Sequence, residues 1–152
     1  MISHLTMPVN ASVVEATLEN TLESIEMAEE ITRRVCATAG FDEEEQHKIE
    51  MAVHESVVNA IQHGNKNDAS KQIWLRYQIF GDRLEIRVRD QGNGFDPSAV
   101  PDCRAPENLL NVSGRGIFLI RTFMDEFRVE KISGSGTEVT MVKRLNSNRS
   151  SI

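Results

Sequence analysis

The sequence predicts an α+β fold, and two observations carry that expectation. Apolar residues recur at helical spacing in two early stretches and again after residue 114, whereas they alternate one-on, one-off between 71 and 90 and in two segments after 126. At 152 residues the chain is long enough for one domain with a sizeable core, and it shows no internal repeat.

Residues 1–10 suit at most a short extended segment. A first helix is expected from 12 or 14 to 39, with Leu18, Leu22, Ile25, Ile31 and Val35 on one apolar face and Gly40 closing it. Asp42 is the expected N-cap of a second helix, with Glu45 three residues on in a capping-box pattern. That helix should run through Ile49, Val53 and Val57 to about His63. Gly64 tolerates the left-handed turn that stops a helix. A strand over 71–80 and its return over 83–90 flank Gly81-Asp82, a hairpin signal. Residues 96–113 hold Pro97, Pro101 and Pro106 and little periodicity; a loop this long in a small domain is functional or disordered. Gly114-Arg115-Gly116 should open a third helix that turns Ile117, Ile120, Phe123 and Met124 to the core. Strands over 126–132 and 137–144 complete the set, and the polar end after 145 should fray.

Composition excludes several functions. The net charge is −6, which argues against a basic nucleic-acid surface. Cys36 and Cys103 lack the spacing of a zinc site or redox pair. No apolar run has the length of a membrane span and no signal peptide opens the chain, so a cytoplasmic location is expected. The early acids, from Glu15 to Glu30, read as the wet face of a helix or as a docking face for a basic partner.

Three signals carry chemistry. Glu55, Asn59 and His63 follow at four-residue steps, which places a carboxylate, a carboxamide and an imidazole on one helix face, opposite Val53, Val57, Ala60 and Ile61. Asp90 ends an alternating strand and leads into Gly92 and Gly94. Gly114-x-Gly116 opens a helix after the long loop. Alone, each has a plain reading as a solvated helix face or a turn. Together they suggest a nucleotide site, because glycines let backbone amides approach phosphates and helix N-termini attract anions. Asp90 can accept a hydrogen bond from an exocyclic amino group such as that of adenine. Asn59 offers magnesium a neutral oxygen, and Glu55 can serve as a general base.

These residues resemble the motifs of the ATPase superfamily that includes gyrase, heat-shock chaperones, sensor histidine kinases and the mismatch-repair ATPase MutL. Within it the chain is most similar to the bacterial anti-sigma factor serine/threonine kinases and anti-sigma regulatory factors. Glu55-x-x-x-Asn59-Ala60-x-x-His63-Gly64 resembles that family's N box; Asp90-x-Gly92-x-Gly94-Phe95 and Gly114-Arg115-Gly116-Ile117-x-Leu119-Ile120 resemble its two glycine boxes. Met124-Asp125-Glu126 and Gly136-Thr137-x-Val139 resemble its C-terminal strand pair. The ending His63-Gly64-Asn65 departs from the aromatic-containing endings of some members.

The resemblance implies a two-layer α/β sandwich of the histidine kinase/gyrase ATPase type, with helices on one face of a mixed, mostly antiparallel sheet. Residues 1–145 would form the ATP-binding domain and 146–152 a disordered tail. ATP and magnesium are the implied cofactors. Glu55 would be the catalytic base, Asn59 the magnesium ligand and Asp90 the adenine contact. Gly92, Gly94, Phe95, Gly114, Gly116 and Ile117 would shape the pocket, 96–113 the lid, and Thr137 the adenine end. Arg115 is a phosphate contact or a solvent-facing arginine; His63 is a helix-end packing residue or a phosphate contact. The implied activity is phosphorylation of an anti-sigma factor antagonist by a kinase that also holds an RNA polymerase sigma factor, with no direct nucleic-acid or membrane contact and with a homodimer compatible. Two alternatives are a non-catalytic, nucleotide-gated binding module and a gyrase-like ATPase in which the glutamate activates water.

Overall fold

The structure, a computed structural model, describes residues 2–6, 12–92, 112–132 and 136–145. Six strands form one sheet in the order β1-β2-β3-β4-β6-β5: β1 Ile2–Thr6, β2 Val13–Glu19, β3 Gln72–Ile79, β4 Arg83–Arg89, β5 Glu126–Lys131 and β6 Thr137–Arg144. Every pairing among them is antiparallel. Helices α1 (Glu23–Ala39), α2 (Glu43–Asn59) and α3 (Val112–Phe123) supply the second layer. The expected α+β class with helices on one face is the observed one. The tail 146–152 and most of the 96–113 loop lie outside the described residues, as does Cys103.

The first expected helix is shorter than its periodicity suggests. Residues 13–19 form β2, not a helical turn, and Leu22 is 62% exposed instead of facing a core. Val14 and Leu18 are four apart and satisfy both periods, but buried Ala16 between them completes a period of two. Val13, Val14 and Thr17 are β-branched and suit a pleated surface. After Glu19 the chain turns: the Ser24 hydroxyl donates to the Glu19 carbonyl at 2.6 Å, and α1 begins at Glu23.

The other boundaries follow local chemistry. Gly40 stops α1 with φ of +93°, its N–H donating to the Cys36 carbonyl at 3.1 Å. Asp42 caps α2 by accepting the Glu45 N–H at 2.8 Å. Leu75, Tyr77, Ile86 and Val88 point from the sheet into the same core as Ile31, Val35, Ile49, Val53 and Val57. The buried Tyr77 hydroxyl bonds the Thr32 hydroxyl at 2.8 Å and so ties β3 to α1.

On the opposite face the sheet carries a ladder of charges. Arg76 pairs with Glu15, Arg87 with Glu85, Arg89 with Glu138 at 2.7 Å, and Arg128 with Glu126 and Glu130. Arg89 also lies 4.5 Å over the Trp74 ring. Arginine is thus matched by glutamate within and across neighbouring strands, as cross-strand pairing favours.

Candidate functional site

The site forms where α2, the ends of β4 and β6, and the start of α3 converge. Helix α2 does not stop at His63 by a left-handed turn. It widens into a π-helical turn over Ala60–Gly64, closed by the Asn65 N–H on the Ala60 carbonyl at 2.7 Å. The positive φ values fall later, at Lys66 and Asn67. Glycine is needed at 64 for a different reason: a Cβ there would overlap the Asp90 carboxyl. Single π turns of this kind occur often at functional sites.

Asn59 and His63 face a cleft that Ser56, Asp90, Ile117 and Thr137 also line. Asn59 Oδ1 and His63 Nε2 are buried there without a hydrogen-bond partner among the described residues. Such orphaned polar atoms are costly in an interior unless a ligand or water meets them. The cleft as described has about 20 Å³ of free volume, the room of one water. A larger cavity of about 510 Å³ lies elsewhere, between α1 and the β1–β2 edge, and brings together none of the predicted site residues.

Asp90 is 6% exposed. Its Oδ1 accepts the Gly92 N–H at 2.9 Å and the Thr137 N–H at 3.1 Å. Burial raises its carboxyl above the ordinary value, and the two amides offset part of that rise. Three backbones crowd this carboxyl and its peptide. A Cβ at Gly92 would overlap the Gly64 carbonyl, and one at Gly136, where φ is +97°, would overlap the Asp90 carbonyl. We therefore expect Gly92→Ala to lower the thermal unfolding midpoint by about 3–10 °C, from an overpacking cost of about 1–3 kcal/mol. Gly81→Ala, where a Cβ meets nothing within 4 Å, is the control and should leave the midpoint unchanged.

Glu55 reaches the cleft from one turn earlier. The position a Cβ would take at Gly116 lies 2.9 Å from Glu55 Oε2 and 3.2 Å from Asn59 Nδ2, so α3 packs its glycine directly on both side chains. Ile117 is buried beside it, while Arg115 is exposed on the outer side of α3. The structure thus gathers Glu55, Asn59, His63, Asp90, Gly92, Gly116, Ile117 and Thr137, and leaves Arg115 outside the group. Gly114 is the third residue of α3. Gly94 and Phe95 lie outside the described residues. Gly64, Asn65, Gln91 and Gly136 complete the site's frame. Gly64 and Gly136 stand within the motifs, but no sequence signal distinguishes Asn65 or Gln91 from ordinary loop polars.

Among the described residues no group of three or more His, Cys, Asp or Glu is placed to cage a metal ion, and no helix is long and apolar enough to cross a membrane.

Comparison with known proteins agrees with this fold. Residues 18–143 match the model of the histidine kinase-like ATPase domain. The chain is 32% identical to the serine-protein kinase RsbW of Bacillus subtilis, over 92% of this chain and 90% of that protein. It is 36% identical to the serine-protein kinase RsbW of Bacillus licheniformis, covering 76% of this chain and 74% of the relative. A crystal structure of the RsbU and RsbW domains of a Mycobacterium tuberculosis protein superposes with a TM-score of 0.61 at 21% identity, over 88% of this chain and 32% of that one. The histidine kinase domain of an Erythrobacter litoralis blue-light activated kinase gives 0.55 at 21%, over 83% of this chain and 63% of that one. Both share the fold. The chain belongs to the histidine kinase-like ATPase domain family, and within it to the RsbW-like anti-sigma factor kinases.

Proposed function

We propose that the protein is a magnesium- and ATP-dependent serine/threonine protein kinase that phosphorylates an anti-sigma factor antagonist and, apart from that antagonist, binds a sigma factor. The observation that carries this reading is the pair of orphaned buried atoms, Asn59 Oδ1 and His63 Nε2, in one cleft with Glu55 at its edge and Asp90 at its floor. The relatives named serine-protein kinase support the transfer step, and partner switching is the role that family membership suggests.

The residues present fit the groups required. Asn59 would hold a magnesium ion by its amide oxygen, with waters and phosphate oxygens supplying the other ligands. When bound, the ion supplies charge neutralisation at the phosphoryl oxygens. Asp90, held by the Gly92 and Thr137 amides, would accept the exocyclic amino group of adenine. His63 Nε2 would meet a polar atom of the nucleotide. Glu55 would take the proton of the substrate serine hydroxyl as its oxygen bonds to the γ-phosphorus and the bond to the β,γ-bridging oxygen breaks, leaving phosphoserine and ADP. Among the described residues the cleft has room for about one water, so a bound nucleotide would need α3 at Gly116 to sit farther from Glu55 and Asn59.

The test gives the purified protein γ-labelled ATP and magnesium with antagonist proteins encoded beside it. Label on an antagonist serine or threonine is expected. Label released only as phosphate selects the water-activating ATPase, and bound ATP with no transfer selects the nucleotide-gated binding module.

A further inference from the structure

We infer that Asn65 is a positioning residue that sets the nucleobase preference of the site by clamping the peptide between Asp90 and Gln91. The inference rests on the nucleotide reading above and deepens it. Asn65 is 0% exposed and directly follows the π turn. Its Oδ1 accepts the Gln91 N–H at 2.7 Å. Its Nδ2 donates to Asn20 Oδ1 and to the Gln72 carbonyl, each at 3.0 Å. One side chain therefore joins the end of β2, the start of β3 and the turn after β4.

The chemistry of the clamp selects asparagine. One acceptor and a two-pronged donor are needed in one plane within a short reach. Aspartate would keep the acceptor and lose both donors; alanine would lose all three bonds. The clamped peptide is the one that carries Asp90. On its other side the Gly136 backbone packs so near that a Cβ there would overlap the Asp90 carbonyl, and one peptide earlier the Asp90 N–H donates to the Thr137 carbonyl at 3.0 Å. Asn65 and the Gly136-Thr137 segment hold this peptide from opposite sides. The second tie on the Asn65 side, from the Gln72 N–H to Gln91 Oε1 at 2.7 Å, is exposed to water. Asn65 is the buried one, and buried bonds hold geometry more firmly than exposed ones. An acceptor that must distinguish an amino group from a carbonyl needs its direction fixed, because the wrong base is rejected only if the group cannot turn to meet it.

Three variants separate positioning from general stability. Asn65→Ala and Asn20→Ala both delete the Asn20–Asn65 bond, but only the first frees the Gln91 N–H. Asn65→Asp keeps the acceptor for that N–H while losing the donors. For each we would measure the thermal midpoint, amide hydrogen exchange at Gln91 and Gly92, and Kd for Mg-ATP and Mg-GTP at a temperature where the variant is folded. Asn65→Ala should lose protection at both amides and about tenfold in ATP-over-GTP preference. Asn20→Ala and Asn65→Asp should melt lower yet keep the protection and the preference. The inference is overturned if folded Asn65→Ala retains the parental preference, or if Asn20→Ala loses as much. If Asn65→Ala does not fold, Asn65→Asp decides alone: a lower midpoint with the preference kept supports the clamp, and loss of the preference overturns it. Failure of the nucleotide reading shows separately, as unmodified protein that does not prefer ATP, and it removes the inference too.

Discussion

Glu55→Gln is expected to lower phosphoryl transfer by about 10²–10⁴-fold, the usual worth of a general base, while Mg-ATP binding stays within about twofold of the parent's. Glutamine matches glutamate in volume, so the packing of Gly116 against this side chain survives. The amide oxygen still accepts a hydrogen bond but cannot take a proton at neutral pH. The loss should therefore appear in kcat and in kcat/KM alike, as for a group acting only in the transition state. Asn59→Ala should behave differently, weakening magnesium-dependent binding together with turnover, because a metal ligand acts in both states. Single-turnover transfer of labelled phosphate, alongside equilibrium nucleotide binding, separates the two. Transfer at the parental rate by Glu55→Gln would remove this residue from the chemistry.

The second large effect is at Asp90. Asp90→Asn should weaken ATP binding by about ten- to a hundredfold, the cost of presenting a mismatched partner to the amino group. The fold should not suffer. Burial raises the Asp90 carboxyl above its ordinary value, so the ionised form is disfavoured in the folded state. For a carboxyl raised in this way, the contribution to stability falls as pH climbs from the ordinary value of 3.8 through the raised one. Above the raised value the parent carries that deficit in full and the carboxamide variant does not. The oxygen of the substituted carboxamide can still accept the Gly92 and Thr137 amides. A thermal midpoint at or above the parent's, together with lost ATP affinity, is the expected result; a midpoint far below it would make Asp90 a structural residue.

The legible part of this molecule is the part written in short-range spacing. Glu55, Asn59 and His63 share a face because a helix repeats, and that is visible without coordinates. Asp90 is marked by the end of an alternating strand. The start of the chain misleads because Val14 and Leu18 fit either period, and only their pairing with Tyr77 and Ile73 across β3 decides for a strand. The π turn is also out of reach. It lies where Gly64 meets Asp90, a residue from a different layer, and no local pattern reports that contact. Asn65 is unreadable for the same reason: its partners come from three separated segments, and a carboxamide after a glycine looks like any turn.

The separation of the two layers has an electrical consequence. The arginines and glutamates of the open sheet face neutralise one another, so that side contributes little to the far field. Between Glu23 and Asn59, by contrast, stand ten carboxylates against three lysines and arginines. More than the whole molecular excess of −6 therefore resides on the first two helices and the connection between them. The molecule is a dipole directed across its own thickness, and it tumbles into encounters with its helical side turned toward positive potential. Association with a cationic body should be fast in dilute buffer and slow as the Debye length shrinks toward about 8 Å near physiological salt. The rate, more than the lifetime, of such a complex would then follow ionic strength.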